Sequence, residues 1–417
     1  MPRLDSFFFT LPGFYVISEK NIRLIYFLRL IRDVLNKVTL FFLPIFIFNF
    51  GGKLPWFDSL QLSDIQAGMI LIAIFFSIQR SVIFFSAIPL GKWMIKWNFE
   101  TSLLLSYVLR VVSFACLYFA SQYPLLLVAA AFFEGIQSNF FWNSFFTLLT
   151  NHIEEKSMGK ELGLHRFLFQ IFSVLAPAIS GYLAYRYGLE VLFLLGIVLN
   201  LISAVLITGI NINLPQDDVS WKEFKEWLKK PSFLKATGSF AGRYINDTVL
   251  FLWPLYVFLV LGTVERVGFL YTFSLFIALV LAFFIGGFID KISANRRPFF
   301  LSGGALSLVW LARTQIFTVW GMALADTVER VFSNFHWLFY DVLFIKRGKG
   351  TQAFSYFVYR EMVISAFAIL FWALVCIFFM INDSWSAVFI FAGIGVLLSL
   401  LISETFDEKK PAAGLKL

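Results

Sequence analysis

The chain has 417 residues, of which 59% are hydrophobic and only 14% charged, and its mean hydropathy is +0.79. A soluble domain keeps about a quarter of its residues charged, so this composition excludes a fold whose surface faces water. The formal net charge of +8 and the two cysteines, both inside apolar runs, point to neither nucleic acid nor a disulfide framework, for reasons of distribution given below.

Taken in chain order, the stretch MPRLDSFFFTLPGFYVISEK has no long apolar core and no small-residue cleavage site, so no cleaved signal peptide is expected. Apolar runs follow at 24–50, 65–90, 101–121, 124–150, 160–185 and 189–211. The segment 212–236 is polar and basic, and carries SWKEFKEWLKKP at 220–231. There Trp221, Phe224 and Leu228 fall on one helical face with lysines elsewhere, so an amphipathic helix on the inner membrane surface, ended by Pro231, is expected. Six more runs follow at 237–262, 267–290, 299–314, 317–345, 352–381 and 384–403, then a polar tail at 404–417. Most of the runs reach the roughly 20 residues that cross a ~30 Å hydrocarbon core as a helix. Backbone polar groups must be satisfied inside lipid, and the alternating ~10-residue pattern of a membrane barrel is absent. The expected fold is therefore an all-α integral membrane protein with twelve transmembrane helices.

The chain repeats itself. SNFFW at 138–142 recurs as SNFHW at 333–337, and Glu134 and Glu329 stand four residues before the two copies. NKVTLFFLPIFIF (36–48) aligns without gaps on NDTVLFLWPLYVF (246–258), matching Asn36 with Asn246 and Pro44 with Pro254. These matches divide the chain into an N-terminal bundle (1–211), a linker (212–236), a C-terminal bundle (237–403) and a tail (404–417). Lysines and arginines crowd the segments on one side, among them Lys92, Lys96, Lys156, Lys160, Lys222, Lys225, Lys346 and Lys349, whereas the opposite loops carry Lys53, Arg186 and Arg266. This asymmetry predicts cytoplasmic termini in a cell membrane and removes the need for a nucleic-acid partner.

Six-plus-six helices in parallel repeats resemble the major facilitator superfamily of secondary transporters, over essentially the whole chain. GGFIDKISANRRP (286–298) is similar to that family's loop signature, with Gly286, Asp290, Lys291, Arg296 and Arg297 at the motif positions. The first-half copy, GKWMIKWNF (91–99), has Ile95 where the acid should be. APAISG (176–181) partly resembles the fifth-helix motif of proton antiporters, keeping Pro177 and Gly181, but no arginine stands in the fourth helix where Glu134 lies. The resemblance implies alternating access by two rocking bundles around a midplane site lined by helices 1, 4, 7 and 10, so the two SNF blocks become facing walls of one cavity.

Ionisable groups at bilayer depth are costly and need a partner or a purpose. In the tenth run Asp326, Arg330, Ser333 and Trp337 share one helical face, with Asp326 and Arg330 spaced to pair and Glu329 beside them. In the fourth, Glu134, Gln137, Ser138 and Phe141 form a similar stripe, and Glu134 needs protonation or a partner in Arg80, Arg110 or Arg330. Asp33 with Lys37, and Arg243 with Asp247, are paired with opposite sign in the two halves. The lone Arg80 suits an anionic substrate or a pairing with Glu134. Arg110 is read as structural. Trp142 and Trp337 offer flat walls, while Asn139, Asn246, Asn334 and His336 supply hydrogen bonds, each with packing as the competing role. Arg29, Arg32, Arg166, Arg313, Arg360, Glu361 and Asp341 lie near span ends and are discounted as snorkelling to the interface. No phosphate loop, metal cluster or nucleophile–base set is present, so no cofactor is read and neither an ATP-driven pump nor an enzyme is expected. The expected function is proton-coupled secondary transport of a small polar solute, anions included, by a monomer in a lipid bilayer. The alternatives are an exporter of amphiphilic drugs and, in another class, a lipid flippase or non-transporting sensor on the same fold.

Overall fold

The computed structural model describes residues 20–54, 60–155, 157–207, 218–289, 296–349 and 352–402. Each of the twelve expected runs is met by helix among these residues. In order they are α1 (Lys20–Thr39, continued by Leu43–Gly51), α2 (Asp64–Lys96), α3 (Phe99–Phe119), α4 (Leu126–His152), α5 (Met158–Ser173, continued by Ala176–Tyr187) and α6 (Glu190–Ile207). After the linker helix Trp221–Leu228 come α7 (Pro231–Leu261), α8 (Val264–Ile289), α9 (Arg297–Arg313), α10 (Val319–Lys349), α11 (Ala353–Ile381) and α12 (Ser386–Ser399). Eight of them are long and apolar enough to cross a membrane by length and composition: α1, α2, α3, α5, α6, α7, α8 and α11. Of the other four, α9 and α12 are short, and α4 and α10 carry the polar SNF blocks.

Proline explains where two of the helices bend. Leu43–Gly51 and Ala176–Tyr187 each restart with a proline in the first two positions, Pro44 and Pro177, where the missing N–H costs nothing. Pro254, which the repeat matches to Pro44, lies instead inside the unbroken α7. Pro231 does not end the linker helix but opens α7.

The pattern of neighbours recurs after six helices. The pairs α3–α4, α3–α6, α2–α4 and α1–α6 have counterparts in α9–α10, α9–α12, α8–α10 and α7–α12. Between the two sets, α2 packs on α11 and α5 packs on α8. The α5–α8 crossing depends on small residues: a Cβ on Gly268 would sit 2.3 Å from the Pro177 carbonyl oxygen, and one on Gly181 would sit 2.8 Å from that of Val264. Ala178 N–H donates to Thr272 Oγ1 there at 3.1 Å. The APAISG motif thus serves helix contact.

The linker helix buries Phe224 and Trp227 against the protein, with ring centroids 5.6 and 5.9 Å from Tyr359 of α11. The Tyr359 hydroxyl accepts from Ser220 N–H at 2.9 Å and donates to Glu223 at 2.8 Å. Part of the expected apolar face is thus turned to the protein, while Trp221 stays 42% exposed. The rings that α11 covers are Phe224 of the expected stripe and Trp227 beside it. On the solvated face, a hydrogen bond from Lys229 lowers the pKa of Glu226.

Candidate functional site

A cavity of ≈ 390 Å³ lies between the two sets of six helices and is lined by residues of α1, α2, α4, α5, α7, α10 and α11. Its walls are largely aromatic, and its ionic groups are Arg29, Arg80, Arg243, Arg360, Asp247, Asp341 and Glu361. Seven ions in one apolar cleft have to arrange themselves in pairs, since an unpaired charge of low hydration is expensive. Glu361 takes Arg360 at 2.7 Å and Arg80 at 3.8 Å. Asp247 takes Arg243 at 2.6 Å, and Arg243 also reaches Asp341 at 3.6 Å. Asp341 is held a second time by Arg166 of α5 at 3.1 Å. The expected pairing of Asp33 with Lys37 is corrected: Asp33 takes Arg29 at 3.2 Å, and Lys37 lies over the Phe41 ring.

Aromatic faces carry the rest of the guanidinium surface. Arg80 lies 4.4 Å from the Tyr244 ring centroid, Arg360 4.5 Å from Phe344 and Arg243 4.1 Å from Trp337. Such stacking suits arginine, whose flat cation is weakly hydrated, and leaves its edges free for anions.

Two further networks lie away from this lining. In the first half, Arg32 donates to Gln137, Gln137 donates to Glu134 at 2.7 Å, and Arg110 stands 3.8 Å from Glu134. In the second half, Asp326 takes Arg330 at 2.8 Å and Arg313 at 3.6 Å, and Arg313 is sandwiched 4.2 Å from each of Trp253 and Trp310. Glu329 is buried beside them, and its Oε1 has no hydrogen-bond partner among the described residues.

Of the residues singled out in the sequence, Arg80, Ser138, Trp142, Arg243 and Asp247 line the cavity. Glu134, Gln137, Asp326, Glu329 and Arg330 belong to the two outlying networks. Asn139 turns to α2, donating to Ile83 O at 3.0 Å and Ser86 Oγ at 2.9 Å. Asn246 accepts from Trp310 Nε1 at 2.9 Å. Asn334 accepts from Gln170 at 2.5 Å, a contact between α10 and α5. His336 is fully buried, stacked on Phe299 and bonded to Ser399 Oγ at 2.8 Å. Trp337 is buried beneath Arg243. Of the loop signature, Gly286 lies in the last turns of α8, Asp290 and Lys291 lie outside the described residues, Arg296 reaches Ile402 O at 3.4 Å, and Arg297 opens α9.

Arg29, Asp341, Arg360 and Glu361, discounted in the sequence for lying near span ends, line the cavity, and α11 joins its walls beside the expected helices. The usable signal was the number of acids and bases sharing that depth on several helices, which lipid-facing snorkelling does not require.

A family model described as Major Facilitator Superfamily matches residues 30–325. No curated protein matches the chain in sequence. Among solved structures, the human organic anion transporter MFSD10 (TETRAN) is similar with a TM-score of 0.67 at 12% identity, over 93% of this chain and 100% of that one. A D-xylose-proton symporter gives 0.63 at 14% identity over 92% and 96%. The E. coli fucose:proton symporter FucP gives 0.60 at 14% over 91% and 96%. At such identities the likeness is one of fold.

Proposed function

This chain belongs to the Major Facilitator Superfamily, and on that premise we propose that it is a proton-coupled secondary transporter of a small organic solute bearing an anionic group. One observation carries the anion. Arg80 of α2 and Arg360 of α11 share a single carboxylate, Glu361, so that corner of the cavity keeps a positive excess facing the lumen. A low-dielectric site with surplus guanidinium groups favours a carboxylate or phosphate ligand. An organic anion transporter among the similar folds supports the choice of class, and two sugar–proton symporters support coupling to protons.

In this reading α1–α6 and α7–α12 are the rocking halves, and the ≈ 390 Å³ cavity is the alternating-access site. Glu134 and Glu329 carry the proton. The chain works as a monomer in the cell membrane with both termini and the linker in the cytoplasm. The aromatic walls, with Phe76 stacked on Trp372 at 5.0 Å beside Trp142, favour a substrate with an apolar body. They also support a second reading, export of amphiphilic compounds.

The test uses purified protein in liposomes with an imposed proton gradient. Gradient-driven uptake of organic anions, competed by other anions and not by neutral sugars, is expected. Saturable movement of neutral sugars alone would overturn the anion. Broad efflux of dyes would favour the second reading, and lipid movement without solute transport would remove both.

A further inference from the structure

The carboxylates of the cavity are not equivalent. Asp341 is held by two arginines, Arg166 and Arg243, and Glu361 by two, Arg360 and Arg80. Asp247 has one, Arg243 at 2.6 Å, and shares it with Asp341. Among the described residues its other oxygen accepts only a long bond of 3.3 Å from Asn246. The Asp247 side chain is 48% exposed, against 10% to 25% for the other ionic side chains of the lining. Asp247 is therefore the ion most fully presented to whatever fills the cavity.

The site thus has two poles on different helices. Arg80 and Arg360 on α2 and α11 share too few acids, while Asp247 on α7 has unused accepting capacity. Aromatic surface from Phe76, Trp142, Phe251 and Trp372 lines the same space. A bare anion would bury the unused side of Asp247 without a partner, and a bare cation would do the same to the arginines; each costs free energy.

We propose that the substrate is a zwitterion with a compact apolar body, whose carboxylate is taken by Arg80 and Arg360 and whose ammonium is taken by Asp247. The proposal rests on the anion-transport reading of this cavity and adds a second recognition point. The cavity volume of ≈ 390 Å³ is within the about 300–1,000 Å³ of small-molecule sites.

The experiment compares three probes that differ only in their charged ends: phenylalanine, 3-phenylpropionate and 2-phenylethylamine. Each is added to the purified full chain, and apparent affinity is read from the thermal shift as a function of concentration. Phenylalanine is expected to bind best. Asp247→Asn should weaken phenylalanine by about 10- to 100-fold, to near the level of 3-phenylpropionate. Asp247→Glu keeps the charge and should retain the preference, which separates recognition from folding. Equal affinity of the wild type for phenylalanine and 3-phenylpropionate overturns the zwitterion and leaves the anion reading intact. Binding of 2-phenylethylamine alone, or of none of the three, overturns both.

Discussion

Arg80 of α2 and Glu361 of α11 meet at 3.8 Å across the boundary between the first six helices and the last six. The contact is longer than the 2.7 Å pair Glu361 makes with its own neighbour Arg360. Glu361 therefore spreads one negative charge over the two guanidinium groups that a substrate anion would share, and competes with it for them.

Replacing Glu361 by Gln removes that competitor. The half-saturation concentration for an anionic substrate should fall by about tenfold, a change of roughly 1.4 kcal/mol. Turnover should fall with it, because release slows when ground-state binding tightens. Uptake kinetics in liposomes measure both. A raised half-saturation concentration with unchanged turnover would instead make Glu361 a direct ligand.

The buried pair Arg313 and Asp326 gives a stability prediction with an internal order. Both side chains are fully buried, and Asp326 answers two arginines. Asp326→Asn leaves both cations short of an anion and should cost about 3–5 kcal/mol. Arg313→Met should cost less, since Asp326 keeps Arg330. Melting in detergent reads the order, and equal losses would contradict it.

For coupling, the expectation concerns Glu134 and Glu329. Gln at either position preserves shape and mimics the protonated acid. Gradient-driven uptake should be lost, while exchange of substrate across a membrane without a gradient persists. Unchanged pH dependence in both variants would make these acids structural and move attention to Asp247 and Asp326.

Gly268 packs against the Pro177 carbonyl at a distance that leaves no room for a methyl group. Gly268→Ala should hold α5 and α8 apart at the end of the molecule away from the linker. Transport should drop by an order of magnitude or more, and a cysteine placed near that crossing should label faster. Normal transport with unaltered labelling would show that the helices can yield.

Much of this architecture can be read in the letters. Apolar runs of membrane length locate each helix, and the doubled SNF blocks locate α4 and α10. Azimuth is harder. Position along a run gives depth, but not whether a side chain at that depth meets lipid, protein or a cavity. Arg360 and Glu361 lie near the start of α11, where snorkelling is the usual reading, yet they face the lumen. Asn139, Asn246 and His336 sit in the expected helices and turn to neighbouring ones, because hydrogen-bond partners such as Ser86, Trp310 and Ser399 are fixed only by packing. Asp33 was expected to take Lys37 and takes Arg29, which stands at the same spacing on its other side, so spacing alone cannot choose the partner.

The linker helix bears on how this protein can be handled. Its aromatic face grips Tyr359, and the next residue along α11 is Arg360 of the cavity wall. Residues 212–236 would look, from polarity alone, like the natural seam for inserting a carrier domain or splitting the chain into two co-expressed pieces. A graft there would tug on Tyr359 and so on the binding wall itself. The turn between α9 and α10, at 314–318, offers no free seam either, since its Ile316 O accepts from the Tyr256 hydroxyl of α7 at 3.0 Å.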